Sequence, residues 1–267
     1  MRAYRVLGTL MLWGMLVGGA PQAVAGEAET LIEQANASRQ LGNTVQTIRL
    51  ELTSKSGTVK EYVLLTHTRS VDGLEQSHAM FTAPEGLHGM QFLRLQRKGA
   101  EDEKWMYMPA GDSLTSIAGS KRTGSFIGTD FTYEDMELGD VNAGTHELLG
   151  TETIEVGGAQ VACHKIATTP GEGLETAYGK LVTWISTDGG VPRRILMFDR
   201  DGTTEAKRLS FEAITAEGSR TVATRMRMEN LQKGSSTLLE VTAYRLDVPA
   251  EELPDRLFDS TRQAENL

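Results

Sequence analysis

Asp130, Glu134 and Asp135 are the most suggestive reactive group in the chain, three carboxylates around Thr132 and Tyr133. Acids this close can ligate calcium or work as an acid–base pair. The EF-hand spacing is absent, however. Thr132 stands three residues before Asp135, the arrangement of a capping box at a helix start. Acids in a first turn also suit the positive end of the helix dipole. A structural role accounts for the cluster before any chemistry is invoked.

The other reactive pairs fail on spacing. Cys163, the only cysteine, adjoins His164, but residues 161–166 read as a strand. Neighbours on a strand point to opposite faces, and Cys there behaves as a small apolar residue. His146-Glu147 opens like a zinc-protease helix, yet Gly150 stands where the second His belongs. In Gly124-Ser125-Phe126-Ile127-Gly128 the serine comes one position early for a nucleophile elbow, and no Ser-x-x-Lys pair or phosphate loop occurs. His67, His78, His88, His146 and His164 are scattered, without the spacing of metal ligands. The expectation is a protein that is not an enzyme and needs no metal or cofactor.

Period-two alternation dominates the elements that position these residues. Ile48, Leu50 and Leu52 alternate with Arg49 and Glu51, and Met226 and Met228 with Arg225, Arg227 and Glu229, each a strand with one apolar face. Turn signals separate such runs: Ser56-Gly57, Asp72-Gly73, Gly157-Gly158, Asp188-Gly189-Gly190, Asp201-Gly202 and Glu217-Gly218. Connections this short make hairpins and forbid parallel crossovers. Helices are few: 28–41, with Leu31, Ile32 and Ala35 on one face, and a short one after Thr132, stapled by Phe131 and Met136.

Residues 1–25 read as an export signal, with Arg2 and Arg5 before an apolar run over 6–20 and Ala23-Val24-Ala25 at a cleavage point near Ala25/Gly26. That run is shorter than a membrane-spanning helix requires. Residues 26–267 then form one domain, not an integral membrane protein. The net charge of −9 argues against nucleic acid and anionic lipid surfaces, which attract basic patches. The 11 methionines suit either ordinary core filling or an adaptable apolar site.

The block 105–136 goes further. Trp105, Tyr107 and Pro109, followed by Ser125, Phe126, Gly128, Thr129, Asp130, Phe131, Thr132, Tyr133, Glu134 and Asp135, resemble the outer-membrane lipoprotein-sorting family, the LolA-like periplasmic proteins of Gram-negative bacteria. The likeness extends through the turn at 84–89, the strand–turn–strand from Tyr178 to Arg194 and the tail at 253–258. The chain departs from its relatives at 112–117, where they carry cations, and at Gly234-Ser235-Ser236-Thr237, where they carry Gly-x-Lys-Thr.

The resemblance implies a mainly β fold, a strongly curved antiparallel sheet forming an unclosed barrel, with a few helices covering its concave face. It implies a soluble periplasmic carrier of lipoprotein or lipid acyl chains, moving between an inner-membrane transporter and an outer-membrane acceptor. The alternative is a non-shuttling accessory or sensor subunit of an inner-membrane lipid or RND-type transporter, which predicts a filled interior. Candidate cavity residues are Ile48, Leu50, Leu52, Met90, Phe92, Leu95, Met226 and Met228. For the 125–135 block a folding role is expected, so that Asp130→Ala lowers thermal stability.

Overall fold

The computed structural model describes residues 22–137 and 144–266. Most of the expected signal segment lies outside these; the described helix α1, Gln22–Ser38, spans the expected cleavage point. Six strands follow in one meander: β1 (Thr44–Thr53), β2 (Val59–Val71), β3 (Leu74–Ala83), β4 (Gln91–Leu95), β5 (Glu103–Met108) and β6 (Ser113–Ser116). Seven more make a second: β7 (Gly144–Val156), β8 (Ala159–Pro170), β9 (Tyr178–Ser186), β10 (Pro192–Asp199), β11 (Glu205–Glu217), β12 (Arg220–Asn230) and β13 (Ser235–Leu246). Each of the six turn signals joins two consecutive strands.

β1 pairs with β13, which fuses the meanders into one antiparallel sheet ordered β6-β5-β4-β3-β2-β1-β13-β12-β11-β10-β9-β8-β7. A sheet of this width must curl, and bulges in β13, β7 and β11 sharpen the bend. β6 and β7 remain unpaired with each other, so the barrel is not closed. The mainly β, unclosed fold is as expected.

Which face is concave follows from packing. Leu50, Phe81, Phe92, Leu181, Met197, Leu209 and Met228 share one buried cluster although their strands lie far apart in the sheet, and only the inside of a curl brings such strands together. Helix α1 covers the β8–β9 end of that face, with Ala28, Ile32 and Ala35 against Ile166 and Ile185.

The convex face is closed in three other ways. The tail from Val248 to Phe258 covers β4, packing Val248, Leu253, Leu257 and Phe258 on Leu93 and Leu95. Near β7–β10, Trp184 and Phe198 form a smaller cluster under Lys165 and Lys180. Across the middle, ion pairs run from strand to strand: Glu61–Arg49–Glu240–Arg225–Glu212–Arg227. Such pairs are individually weak at a surface, but they keep the outside of the sheet polar.

Candidate functional site

Of the connection between the two free edges, the described part, 117–137, lies in the concave interior as a plug: Ile117, Phe126 and Phe131 are buried in the main cluster, and Ile127, Tyr133 and Met136 pack against it. The Phe126 ring lies 5.5 Å from Phe92, 6.0 Å from Phe81 and 5.7 Å from Tyr133, centroid to centroid. Apolar packing thus ties the plug to β3 and β4.

The plug is a miniature hairpin. Ser125 bridges to Thr132, Phe126 N–H donates to Phe131 O at 2.8 Å, and Thr129 N–H to Phe126 O at 2.9 Å. At the tip Ile127 and Gly128 both take positive φ, 49° and 78°, as a type I′ turn requires. Gly128 does so freely, whereas β-branched Ile127 is strained there.

Three polar clamps fix the plug to the second meander. Asp130 Oδ1 accepts from Ser235 Oγ at 2.5 Å and Oδ2 from Thr237 Oγ1 at 2.9 Å; Asp130 N–H donates to that same Oγ1 at 2.9 Å. Asp135, its side chain wholly buried, accepts from Lys207 Nζ, Tyr178 O–H and Thr132 N–H, each at 2.7 Å. Glu134 accepts from the Ala177 N–H at 3.1 Å. Burial pushes the Glu134 carboxyl and the Tyr178 phenol up from their ordinary pKa values. The capping box is present, since Asp135 N–H also reaches Thr132 Oγ1 at 3.4 Å, but the turn it opens is a short 3₁₀ segment, Glu134–Glu137.

The motif residues therefore divide by job. Trp105 packs on the convex face beside the tail cluster. Tyr107 is buried and donates to Asp112 Oδ1 at 2.9 Å, and Pro109 opens the turn into β6. Ser125 Oγ donates to Thr129 O at 2.6 Å and steadies the hairpin. Phe126, Phe131 and Tyr133 supply the plug's apolar contacts.

Of the candidate cavity residues, Ile48, Leu50, Leu52, Met90, Phe92, Met226 and Met228 join the interior cluster beneath or around the plug. Leu95 does not: it packs on the convex face with Leu93 and Val248. Alternation from Phe92 places residue 95 on the opposite side, which corrects the grouping of the two. The clamp partners Lys207, Tyr178, Ser235 and Thr237 were not singled out as site residues. One signal pointed to them: Lys207 shares its strand face with Leu209 and Phe211, an inward position that a cation occupies only with a partner.

The rest of the interior wall is charged where β4 and β5 end. Arg94 pairs with Glu75 at 3.0 Å and Asp102 at 2.6 Å, and Arg122 pairs with Glu101 at 3.2 Å. Burial, with the Arg122 charge, pushes the neighbouring Lys104 down to about 8. A cavity of about 350 Å³ opens beside this wall, between the C-terminal end of α1, strands β2–β4 and Met136 of the plug.

No catalytic constellation is assembled from the sequence candidates. Cys163 lies in the outer cluster with Trp184, where burial raises its thiol pKa. His146 is buried and bonds to Thr168 Oγ1 at 2.9 Å. Among the described residues no three His, Cys, Asp or Glu side chains converge as a metal site would need.

No curated protein matches the chain in sequence, but solved structures share its fold. A DUF1329 family protein from Desulfovibrio piger is 24% identical, with 89% of this chain and 98% of that one covered, at a TM-score of 0.81. A putative outer membrane lipoprotein-sorting protein domain from Vibrio parahaemolyticus is 21% identical over 88% of this chain and 99% of that one, at 0.77. A LolA superfamily protein from Nitrosomonas europaea is 18% identical over 85% and 97%, at 0.64. A family model described as an uncharacterized protein matches residues 73–262; with most of its length matched, the chain belongs to this DUF1329-like family and has the LolA-like fold.

Proposed function

We propose that this protein is an exported periplasmic carrier of acyl chains, from lipoproteins or lipids, and that the segment 117–137 is the lid its cargo displaces. One observation carries the reading. Apart from its β8–β9 end under α1, the apolar concave face of an unclosed half-barrel is covered by a connecting segment tied down through three acids, rather than by further paired strands. A lid held by a few polar contacts can leave without breaking the sheet. The uncovered face, rich in Met and Phe, suits a flexible hydrocarbon chain.

Each buried CH₂ contributes about 0.8 kcal/mol, so affinity needs no directional chemistry. On this reading no residue is catalytic, an inner-membrane transporter loads the carrier and an outer-membrane acceptor empties it. The similarity in fold to a putative lipoprotein-sorting domain supports this assignment.

A second reading has its own support. The interior is filled by Phe126, Phe131 and Ile117, as a non-shuttling accessory subunit of a transporter would require. Lipid analysis separates the two. Protein purified gently from the periplasm and extracted for mass spectrometry should yield near-stoichiometric acyl-bearing species. A protein that stays unliganded after incubation with native membranes, yet co-purifies with a transporter, would replace the carrier reading with the accessory one.

A further inference from the structure

The cavity beside the plug is built for charge. Arg39, Arg69 and Arg94 line it, against the single acid Glu75. Two of these cations are occupied. Arg94 is held by Glu75 and Asp102. Arg69 bonds to Asp255 at 2.7 Å and Gln76 at 2.8 Å, and lies over the Phe258 ring.

Arg39 differs. Among the described residues its guanidinium makes no hydrogen bond or ion pair; its neighbours are the Phe211 ring, 6.0 Å from the centroid, and the Glu75 charge at longer range. A ring at that distance is at the limit of cation–π attraction and satisfies none of the five N–H donors. Burial pushes the Arg39 pKa down, with Glu75 opposing only part of the effect. A guanidinium stays charged regardless, so the fold keeps a partly desolvated cation here without a partner of its own.

The surroundings indicate what such a cation would hold. Met136 lines the cavity, and Met136 and Phe211 both belong to the interior cluster. The cavity is thus where a polar mouth meets the apolar space under the plug. We infer that it receives the anionic head, phosphate or carboxylate, of an acyl ligand, gripped by the Arg39 fork, with the chain running inward past Met136 and Phe211. The head site stands on the cavity itself; the path of the chain rests on the carrier reading.

Titration calorimetry on the full mature protein separates the two parts. The probes are palmitoyl lysophosphatidylglycerol, uncharged monopalmitoyl glycerol and inorganic phosphate, below the micelle concentrations of the lipids. Wild type should bind the anionic lipid about tenfold more tightly than the neutral one, the value of a charge-assisted bond. Arg39→Gln should abolish that preference while leaving the neutral lipid's affinity unchanged. Arg39→Lys, keeping charge but not the fork, should fall between and covers the case in which Arg39→Gln fails to fold. Equal affinities in wild type, or a preference that survives Arg39→Gln, would overturn the head site and leave the carrier intact. Phosphate binding that needs Arg39, without binding of either lipid, would keep the anion site and sink the carrier reading.

Discussion

Asp135 is the strongest of the three clamps, and its removal gives the sharpest test of the plug. Asp135→Ala deletes the acceptor of Lys207 Nζ, Tyr178 O–H and Thr132 N–H. The Lys207 side chain, 10% exposed, is left without its counter-ion. Breaking a buried pair from one side costs about 3–5 kcal/mol, and for a domain this size each kcal/mol lowers Tm by about 2–4 °C, so the expected drop is about 6–20 °C. Lys207 can relieve part of that by snorkelling to the surface, which favours the lower half of the range.

Urea and thermal melts of Asp135→Ala, Lys207→Met and the double variant form a cycle. The double variant carries no orphaned charge, so it should be more stable than the two single losses predict, by about 1.5 kcal/mol or more. Hydrogen exchange locates the effect. The Phe126 and Thr129 amides, bonded within the plug, should exchange faster, while β1 amides keep their protection. On the carrier reading, an acyl ligand that needs the plug displaced should then bind more tightly, because the closed state competes less well. A cost below about 1 kcal/mol, or coupling below about 0.5 kcal/mol, would refute the clamp. Acyl affinity unchanged despite a loosened plug would refute the lid.

Asp130→Ala removes the acceptor of Ser235 and Thr237; a loss of about 3 kcal/mol is expected from two bonds to a charged group at about 1.5 each, read as a lower urea midpoint, and an unchanged midpoint would discard the folding role of that residue. His78 is pushed down to about 4, chiefly by burial. Its folded pKa lies below the unfolded value, so the unfolded chain takes the proton first. The stability it contributes is full above pH 6.5, falls by about 3 kcal/mol towards pH 4 and levels off below. A pH series of melts should show that slope in wild type and a flatter one in His78→Gln; parallel slopes would exclude His78. Gly157, at φ +59°, leaves no room for a Cβ, which would stand 1.9 Å from the Glu212 carbonyl oxygen. Gly157→Ala should therefore destabilise by more than about 1 kcal/mol, whereas Gly218→Ala, with open space around it, serves as the control for strain alone.

The meander was legible because its signals are local. Six Gly-containing turns and the runs between them specify hairpins, and alternation sets most inward positions. Where that period was followed, as at Ile48, Leu50 and Leu52 or Met226 and Met228, the residues share the interior cluster. Grouping Leu95 with Phe92 by composition alone put it on the wrong face.

The plug was only half legible. Its capping box could be read three residues apart, but not the partners that hold it. Ser235, Thr237, Lys207 and Tyr178 lie far along the chain, and only the curl of the sheet brings them to Asp130 and Asp135. Arg39 gave no sequence signal either. In the last turn of the expected helix 28–41 it reads as solvated, and only the approach of β2–β4 turns it into the wall of a cavity.

A filled interior is compatible with carriage if opening and loading nearly balance. Lifting the plug into water re-exposes six apolar side chains, Ile117, Phe126, Ile127, Phe131, Tyr133 and Met136. At about 2 kcal/mol each, that costs about 12 kcal/mol before the clamps are counted. A saturated chain of about 16 carbons recovers about 13 kcal/mol at about 0.8 per CH₂. The two apolar contributions nearly cancel, and the polar clamps tip the balance towards the closed state. Such a protein would hold cargo firmly only when something further favours the loaded state, such as an anionic head at Arg39. Delivery would then follow from removing that contribution, since the plug stands ready to refill the space. A plug tied by apolar contacts alone could not be tuned this way, because its grip would rise and fall with the same hydrophobic term as the cargo's. On the carrier reading, anchoring it through Asp130, Glu134 and Asp135 separates the two, and would make the clamp residues the place where affinity for an acyl chain is set without altering the surface that touches it.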